Sequence, residues 1–304
     1  THVPALHLYR ERDLARVPAY RASWTGRASE DQATGENANS GDATPLAPPD
    51  EATITDSAPR PPAWLAYAVR KGSYNRLVLS MLVRNEADRF LHQVLSHAAG
   101  YVDAAVIVDD ASTDDTVAVC RDVLQGVPHA IVGLTQSLFH QESTLRRIQW
   151  QATLDLEPDW VLCLDADEVF EEAIRTEIRS LIDQTEFDAV AFRLFDLWDA
   201  EHYRDDDSWH AHRFHNSFLV RALPDLPADW PEQAQHAGRF PPSVRSLPTI
   251  DSDVRLKHLG WSTPRERMRK YERYRGLDPK GVYGYRQQYD SILDLRPTLR
   301  RWEE

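Results

Sequence analysis

Two cysteines in 304 residues, Cys120 and Cys163, are too few for a disulfide framework, and neither belongs to the CxxC spacing of a zinc site. Both sit in apolar runs and read as buried thiols of a reducing compartment. No apolar run approaches the ~20 residues that cross a bilayer. No basic-then-apolar leader opens the chain, which makes the cytoplasm the default expectation, although a start at Thr1 rather than Met is also compatible with a removed leader. Positive charge is in short supply: 35 Lys and Arg stand against 48 Asp and Glu, a formal net charge of −13. That argues against a general affinity for nucleic acid or anionic lipid and leaves only a local basic patch open. Glycine-rich phosphate loops are absent too, since neither GxxxxGK[ST] nor GxGxxG occurs.

What is present is an ordinary globular composition, 42% hydrophobic and 27% charged, enough to bury a core. It is unevenly spread. Between Gly26 and Pro62 there is no aromatic residue and little aliphatic content, so that stretch cannot bury enough surface to offset its ordering entropy and reads as a disordered linker, drawn here as 26–75. Residues 1–25 form an N-terminal extension with a possible short helix carrying Leu6, Leu8, Leu14 and Val17.

From Leu77 onward strand and helix signals alternate. "RLVLSMLV", "DAAVIVDD", "HAIVGL" and "DWVLCLD" are continuous apolar strands. Each is followed by a segment with apolar residues at helical spacing, such as Phe90, Leu91, Val94, Leu95 and Ala98, or Ile174, Ile178, Leu181 and Ile182. This pattern predicts an α/β fold with a mostly parallel sheet covered on both faces. Beyond Phe187 the alternation stops, and "DAVAFRLFDLW" and "SFLVRAL" read as further strands among polar loops.

In open α/β sheets ligands bind at the carboxyl ends of the strands. Three polar clusters fall there: "RNE" from Arg84, "DDASTDD" from Asp109 and "DADE" from Asp165. Helix capping accounts for any one of them: Asn85, Ser112 with Asp115, or Asp167 could cap the following helix, and Glu168 would sit in a helix's first turn. Capping does not account for doubled carboxylates at two strand ends, because one side chain per helix suffices. Two carboxylates one residue apart just past a strand suit a hard divalent cation, Mn²⁺ or Mg²⁺, with a diphosphate completing its coordination.

"SMLVRNEADRFLHQVLSH", "VDDASTDDTVAVC" and "LDADEVF", in that order, resemble the family 2 inverting glycosyltransferases of GT-A fold with a DxD motif. "KHLGWSTPRERMRKYERYRGLDP" is similar to the carboxyl-terminal region of a bacterial subgroup. The resemblance implies a nucleotide-sugar-binding half at 76–195 and an acceptor-side half of the same catalytic domain at 196–304. It implies donor contacts from Asn85, Glu86, Asp109, Asp110, Arg146 and Asp165, with Asp110 toward the base and Asp165 toward the ribose. It further implies Asp167 as metal ligand and His258 as a candidate third ligand. Leu82 and Arg84 depart from the Pro and Tyr common in the family.

Inverting transfer needs one carboxylate to deprotonate the acceptor hydroxyl, while the metal stabilises the departing diphosphate. Asp206 is the first candidate in "LFDLWDAEHYRDDDSWH" and Asp196 the second. The acceptor is a hydroxyl of a glycan, a lipid or another molecule, the last two allowing a peripheral membrane acceptor. Trp198, Trp209 and Trp261 could stack on a sugar or pack in a core. His202, His210, His212 and His215 match no standard zinc spacing. The basic helix "TPRERMRKYERYR" most simply solvates a surface, or else approaches the diphosphate.

Other classes remain in view. A nucleotidyltransferase also uses an α/β sheet and an acid pair, but expects a Gly-rich loop where "RNEADR" has none. A binding protein that kept the fold and lost catalysis is the non-enzymatic alternative. A haloacid-dehalogenase-like phosphatase expects its Asp-x-Asp after the first strand with Thr two residues on, where Val169 stands here.

Overall fold

The computed structural model describes residues 6–9, 65, 69–232, 236–282 and 284–304. Residues 15–60 lie outside the described residues together with most of the expected extension and linker. Within the extension, Leu6–Tyr9 is a strand, β1, rather than part of a helix; its alternating Leu6 and Leu8 suit a strand, and an unpaired sheet edge supplies its backbone partners. The described packing begins upstream of residue 76. Leu65 is buried, and the Arg70 guanidinium grips Asp188 with Nε and Nη2 at 2.8 and 2.6 Å.

The remaining strands are β2 (Leu77–Val83), β3 (Ala104–Asp109), β4 (His129–Leu134), β5 (Trp160–Cys163), β6 (Glu168–Phe170), β7 (Ala189–Asp196), β8 (His202–Arg204), β9 (His215–Arg221), β10 (Thr249–His258) and β11 (Leu299–Arg301). Nine of these eleven form one sheet in the order β1-β4-β3-β2-β5-β9-β7-β10-β6, and β8 pairs with β11. Strands β4, β3, β2 and β5 run parallel, β9 is inserted antiparallel, and β7 and β10 return to a parallel pair. This is the mostly parallel α/β architecture expected from the alternation. Both expected halves contribute strands to the one sheet.

Buried strands explain the continuous apolar runs. Alternate residues of β2 point to opposite faces: Leu77, Leu79 and Met81 join the larger core, and Val78 joins a second core with Val106, Val108 and Leu145. Helices α1 (Leu91–Ala98), α2 (Thr116–Val123) and α4 (Ile174–Ile182) cover the first face, and α3 (Glu142–Leu154) covers the second. A fully buried Leu or Phe contributes about 1.5–3 kcal/mol, so this double layer anchors the strand ends firmly.

Two local expectations change. Glu168 opens β6 rather than the first turn of a helix, and α4 starts only at Ile174, so Asp167 caps nothing. Trp198, Trp209 and Trp261 form a core with Ile292, each at most 5% exposed. Arg204 lies over the Trp198 and Trp209 rings at 4.6 and 5.2 Å, which leaves those faces to packing.

Candidate active site

Strands β2 and β3 end side by side, and the loops that follow are laced together by their own side chains. Asn85 N–H donates to Ser112 Oγ at 2.9 Å, and Asn85 Oδ1 accepts from Thr113 N–H at 2.8 Å. Glu86 N–H donates to Thr116 Oγ1 at 2.7 Å. Asn85 and Ala111 both adopt positive φ, 52° and 57°. Asn tolerates that region and Ala does so at a cost, so strain is stored where the chain turns off the sheet. Asp109 accepts from Ser112 N–H and shapes this turn; burial raises its pKa.

These loops form one wall of a cleft of ≈ 960 Å³ at the carboxyl ends of the parallel strands. Asn85, Glu86, Asp110, Arg146, Asp165, Asp167 and His258 all line it. Asp110 is 1% exposed, and its carboxylate accepts from the Ser137 hydroxyl and from Leu138 N–H, both at 2.6 Å. Burial raises Glu86 to about 7 even though Arg89 Nη1 holds both its oxygens at 2.5 and 2.6 Å.

On the opposite wall Asp165 opens into the cleft, and Arg146 Nη2 approaches its Oδ1 at 3.6 Å. Burial resists ionisation of Asp165, but Arg146 and Arg239 outweigh it and lower its pKa. The turn is pinned from behind. Glu168 accepts from Asp165 N–H at 2.8 Å and takes a two-pronged contact from Arg239, both prongs at 2.9 Å.

Asp167 and His258 form the deep end. Asp167 Oδ1 lies 3.6 Å from His258 Nε2, and Lys270 Nζ sits between them, 3.0 Å from Asp167 Oδ2 and 2.8 Å from His258 Nε2. Burial disfavours the Asp167 carboxylate, yet Lys270 and His258 hold it well below the usual range. For His258, burial and Lys270 oppose protonation while Asp167 and Asp196 favour it; the acids prevail and its pKa rises to about 9. A 2.8 Å approach of two nitrogens admits one proton between them, so with Lys270 in place the raised basicity makes Nε2 the acceptor of the ammonium's proton rather than the holder of a second one.

Lys270 comes from α5 (Pro264–Leu277), which Thr263 caps by accepting from Glu266 N–H, with Pro264 at the first helical position. The helix is the basic segment read as a solvated surface, but Arg269, Lys270 and Arg273 line the cleft. Sequence reasoning also passed over Arg89 and Gly260. A β-carbon on Gly260 would lie 2.2 Å from Asp167 Oδ2 and 2.1 Å from Lys270 Nζ, so any other residue would push both groups out of place. The signal was slight: a single glycine in "KHLGW" and a lysine among arginines.

Two expected groups stand apart from the lining. Asp196 Oδ1 is 2.8 Å from His258 Nδ1, one residue behind the cleft. Asp206 accepts from Arg204 Nε at 2.6 Å and from Ser208 N–H at 3.0 Å, and is not among the lining residues. His202, His212 and His215 each face a different acid, Asp199, Asp205 and Asp251.

The cleft's fit to a divalent metal can be judged from its own atoms. Among the described residues no three or more His, Cys, Asp or Glu side chains are arranged to hold an ion. Two are: Asp167 and His258 converge on a point where an ammonium already stands in for a cation, and the glycine beside it leaves the room. One carboxylate and one imidazole, completed by phosphate oxygens, suit Mn²⁺ and, less readily, Mg²⁺.

A 30% identical relative over 236 residues is the uncharacterized protein Rv3786c of Mycobacterium tuberculosis; the match takes in 71% of this chain and 54% of that protein. The chain thus spans about half the length of the curated relatives it matches. Among solved structures, S. aureus TarS 1-349 in complex with UDP is 14% identical with a TM-score of 0.47, over 72% of this chain and 69% of that one. The mannosyltransferase PcManGT from Pyrobaculum calidifontis, in complex with GDP-Man and Mn²⁺, is 14% identical with a TM-score of 0.41, over 77% and 70%. Residues 73–223, which carry the ends of β2, β3 and β5 and the DADE turn, match the family described as Glycosyl transferase family 2, and the chain carries a domain of that family.

Proposed function

We propose that the chain transfers a sugar from a nucleoside-diphosphate donor to a hydroxyl acceptor, with inversion and with the help of a divalent metal. The observation that carries this reading is the convergence of Asp110, Arg146, Asp165, Asp167 and His258 on one cleft from four separate stretches of chain. Asp110 would meet the base, held in place by Ser137 and Leu138. Asp165 would accept from the ribose hydroxyls, kept ionised by Arg146 and Arg239. Asp167 and His258 would hold Mn²⁺ or Mg²⁺, whose charge offsets that of the departing diphosphate.

The chain's own cations share the task of neutralising the phosphates, since Arg89, Lys270 and Arg273 line the same cleft. Of the two acids proposed as base, Asp196 lies next to the deep end, and its Oδ1 is engaged by His258. The cytoplasmic location is part of the proposal and rests on the thiols: both cysteines are buried and free, and burial pushes Cys120 up to about 12. No helix among the described residues is long and apolar enough to cross a membrane.

Thermal shift with UDP and GDP, with and without Mn²⁺, tests the donor site. A ligand that binds only the folded state raises the melting temperature by mass action. Stabilisation by one nucleotide in the presence of metal is expected. Absence of any shift, together with no transfer or donor hydrolysis from UDP- or GDP-sugars, would overturn the reading.

A further inference from the structure

We infer that Lys270 is a tethered cation occupying the metal position of the free protein, so that a divalent ion enters between Asp167 and His258 only by displacing the lysine ammonium. This rests on the donor-and-metal reading above and goes beyond it. The two atoms that would ligate a metal are the atoms Lys270 Nζ touches, Asp167 Oδ2 at 3.0 Å and His258 Nε2 at 2.8 Å. The ammonium is fixed there. Lys270 is 5% exposed, its Nζ lies 4.3 Å from the centre of the Trp261 ring, and a β-carbon on Gly260 would collide with it. Its neighbour Arg269, on the same helix, keeps 43% of its side chain exposed.

An ammonium and a divalent cation cannot share one pair of ligand atoms, because each repels the other and each needs the same lone pairs. In the absence of donor the metal therefore competes with a group that never diffuses away. A donor diphosphate changes the balance twice. It adds oxygen ligands to the metal, and it offers the displaced ammonium a new anionic partner in the same cleft. Metal and donor should then bind cooperatively, and by linkage each strengthens the other by the same factor.

Mn²⁺ binding followed by electron paramagnetic resonance tests this. Lys270→Met keeps the length of the side chain and removes the charge. Without nucleotide it is expected to bind Mn²⁺ at least tenfold more tightly than the wild type, and to show a smaller gain on adding UDP or GDP. Equal Mn²⁺ affinity of the two proteins overturns the inference and leaves the metal reading standing. No Mn²⁺ uptake by either protein, with or without UDP or GDP, overturns both. The wild type alone supplies a second measurement that does not depend on the variant folding. Acylation of Lys270, followed by mass spectrometry, is expected to quicken severalfold when Mn²⁺ and the nucleotide are added together, and an unchanged rate overturns the inference.

Discussion

His258 and Asp196 are direct partners across the parallel strands β10 and β7, and the Asp196 carboxylate lies 2.8 Å from His258 Nδ1. On the other side of β10, His258 stands opposite Glu168 in β6. The imidazole is therefore set by register rather than by a loop. Asp196 and the Trp261 indole both engage Nδ1, which leaves Nε2 to face the cleft.

Asp196→Asn should lower turnover about 10–100-fold with a parallel loss of Mn²⁺ affinity, as expected of a group that orients a ligand. A larger loss with Mn²⁺ affinity intact would make Asp196 the base instead. Asp206→Asn, in a turn with Arg204 and Ser208, should change turnover by less than about threefold, whereas removing a general base costs ~10²–10⁴. Steady-state kinetics on both variants decides between them.

Gly260→Ala should cut kcat at least about tenfold, because misplacing reacting groups by an ångström is enough to do so. The added methyl would sit 2.2 Å from Asp167 Oδ2. Its melting temperature should fall only slightly, since the collision is with side-chain ends. An unchanged kcat would show that the deep end is not the reacting end.

Glu86 gives a pH dependence with a definite sign. Its pKa is raised in the folded chain from 4.5 to about 7 by burial, so between those values the folded state holds more protons than the unfolded state. Stability from this group is complete below 4.5 and is lost as pH rises toward 7. Glu86→Gln should flatten that part of the melting-temperature profile, and a slope identical to wild type would refute the assignment.

Asp188 is fully buried between Arg70 and Arg221, with Arg221 Nε at 2.9 Å and Arg70 Nη2 at 2.6 Å. Removing one partner of a buried pair leaves charge uncompensated and costs about 3–5 kcal/mol. Asp188→Ala should lose that much in urea unfolding, while donor binding per folded molecule stays unchanged.

The parts of this protein that local pattern dictates were legible in the sequence. Apart from Ser80 and the closing Asp109, Leu77–Val83 and Ala104–Asp109 are apolar because both faces of the sheet are covered, and polar side chains resume at the strand ends where that cover stops. Asp110, Asp165 and Asp167 were found in this way. Lys270 and Gly260 were not, because their roles arise only when α5 and the end of β10 meet Asp167, about a hundred residues upstream. β6 escaped for a similar reason. Three residues carry no periodicity, and "EVF" becomes a strand only because β10 offers it an edge. The Asp206 expectation came from proximity in sequence, and proximity does not encode which way a turn faces.

β5 and β6 are separated in sequence only by residues 164–167, yet they lie four strands apart in the sheet order. Across a flat sheet four strand spacings are ~19 Å, and the Asp165 carbonyl accepts from Glu168 N–H in a tight turn too short to cover it. The sheet has to bend until its edge is drawn back toward its middle, with the DADE segment as the cord of a drawstring. Slackening that cord would release edge strand and acids together. Amide hydrogen exchange at 165–168 should therefore proceed only with opening of the β6–β10 pair.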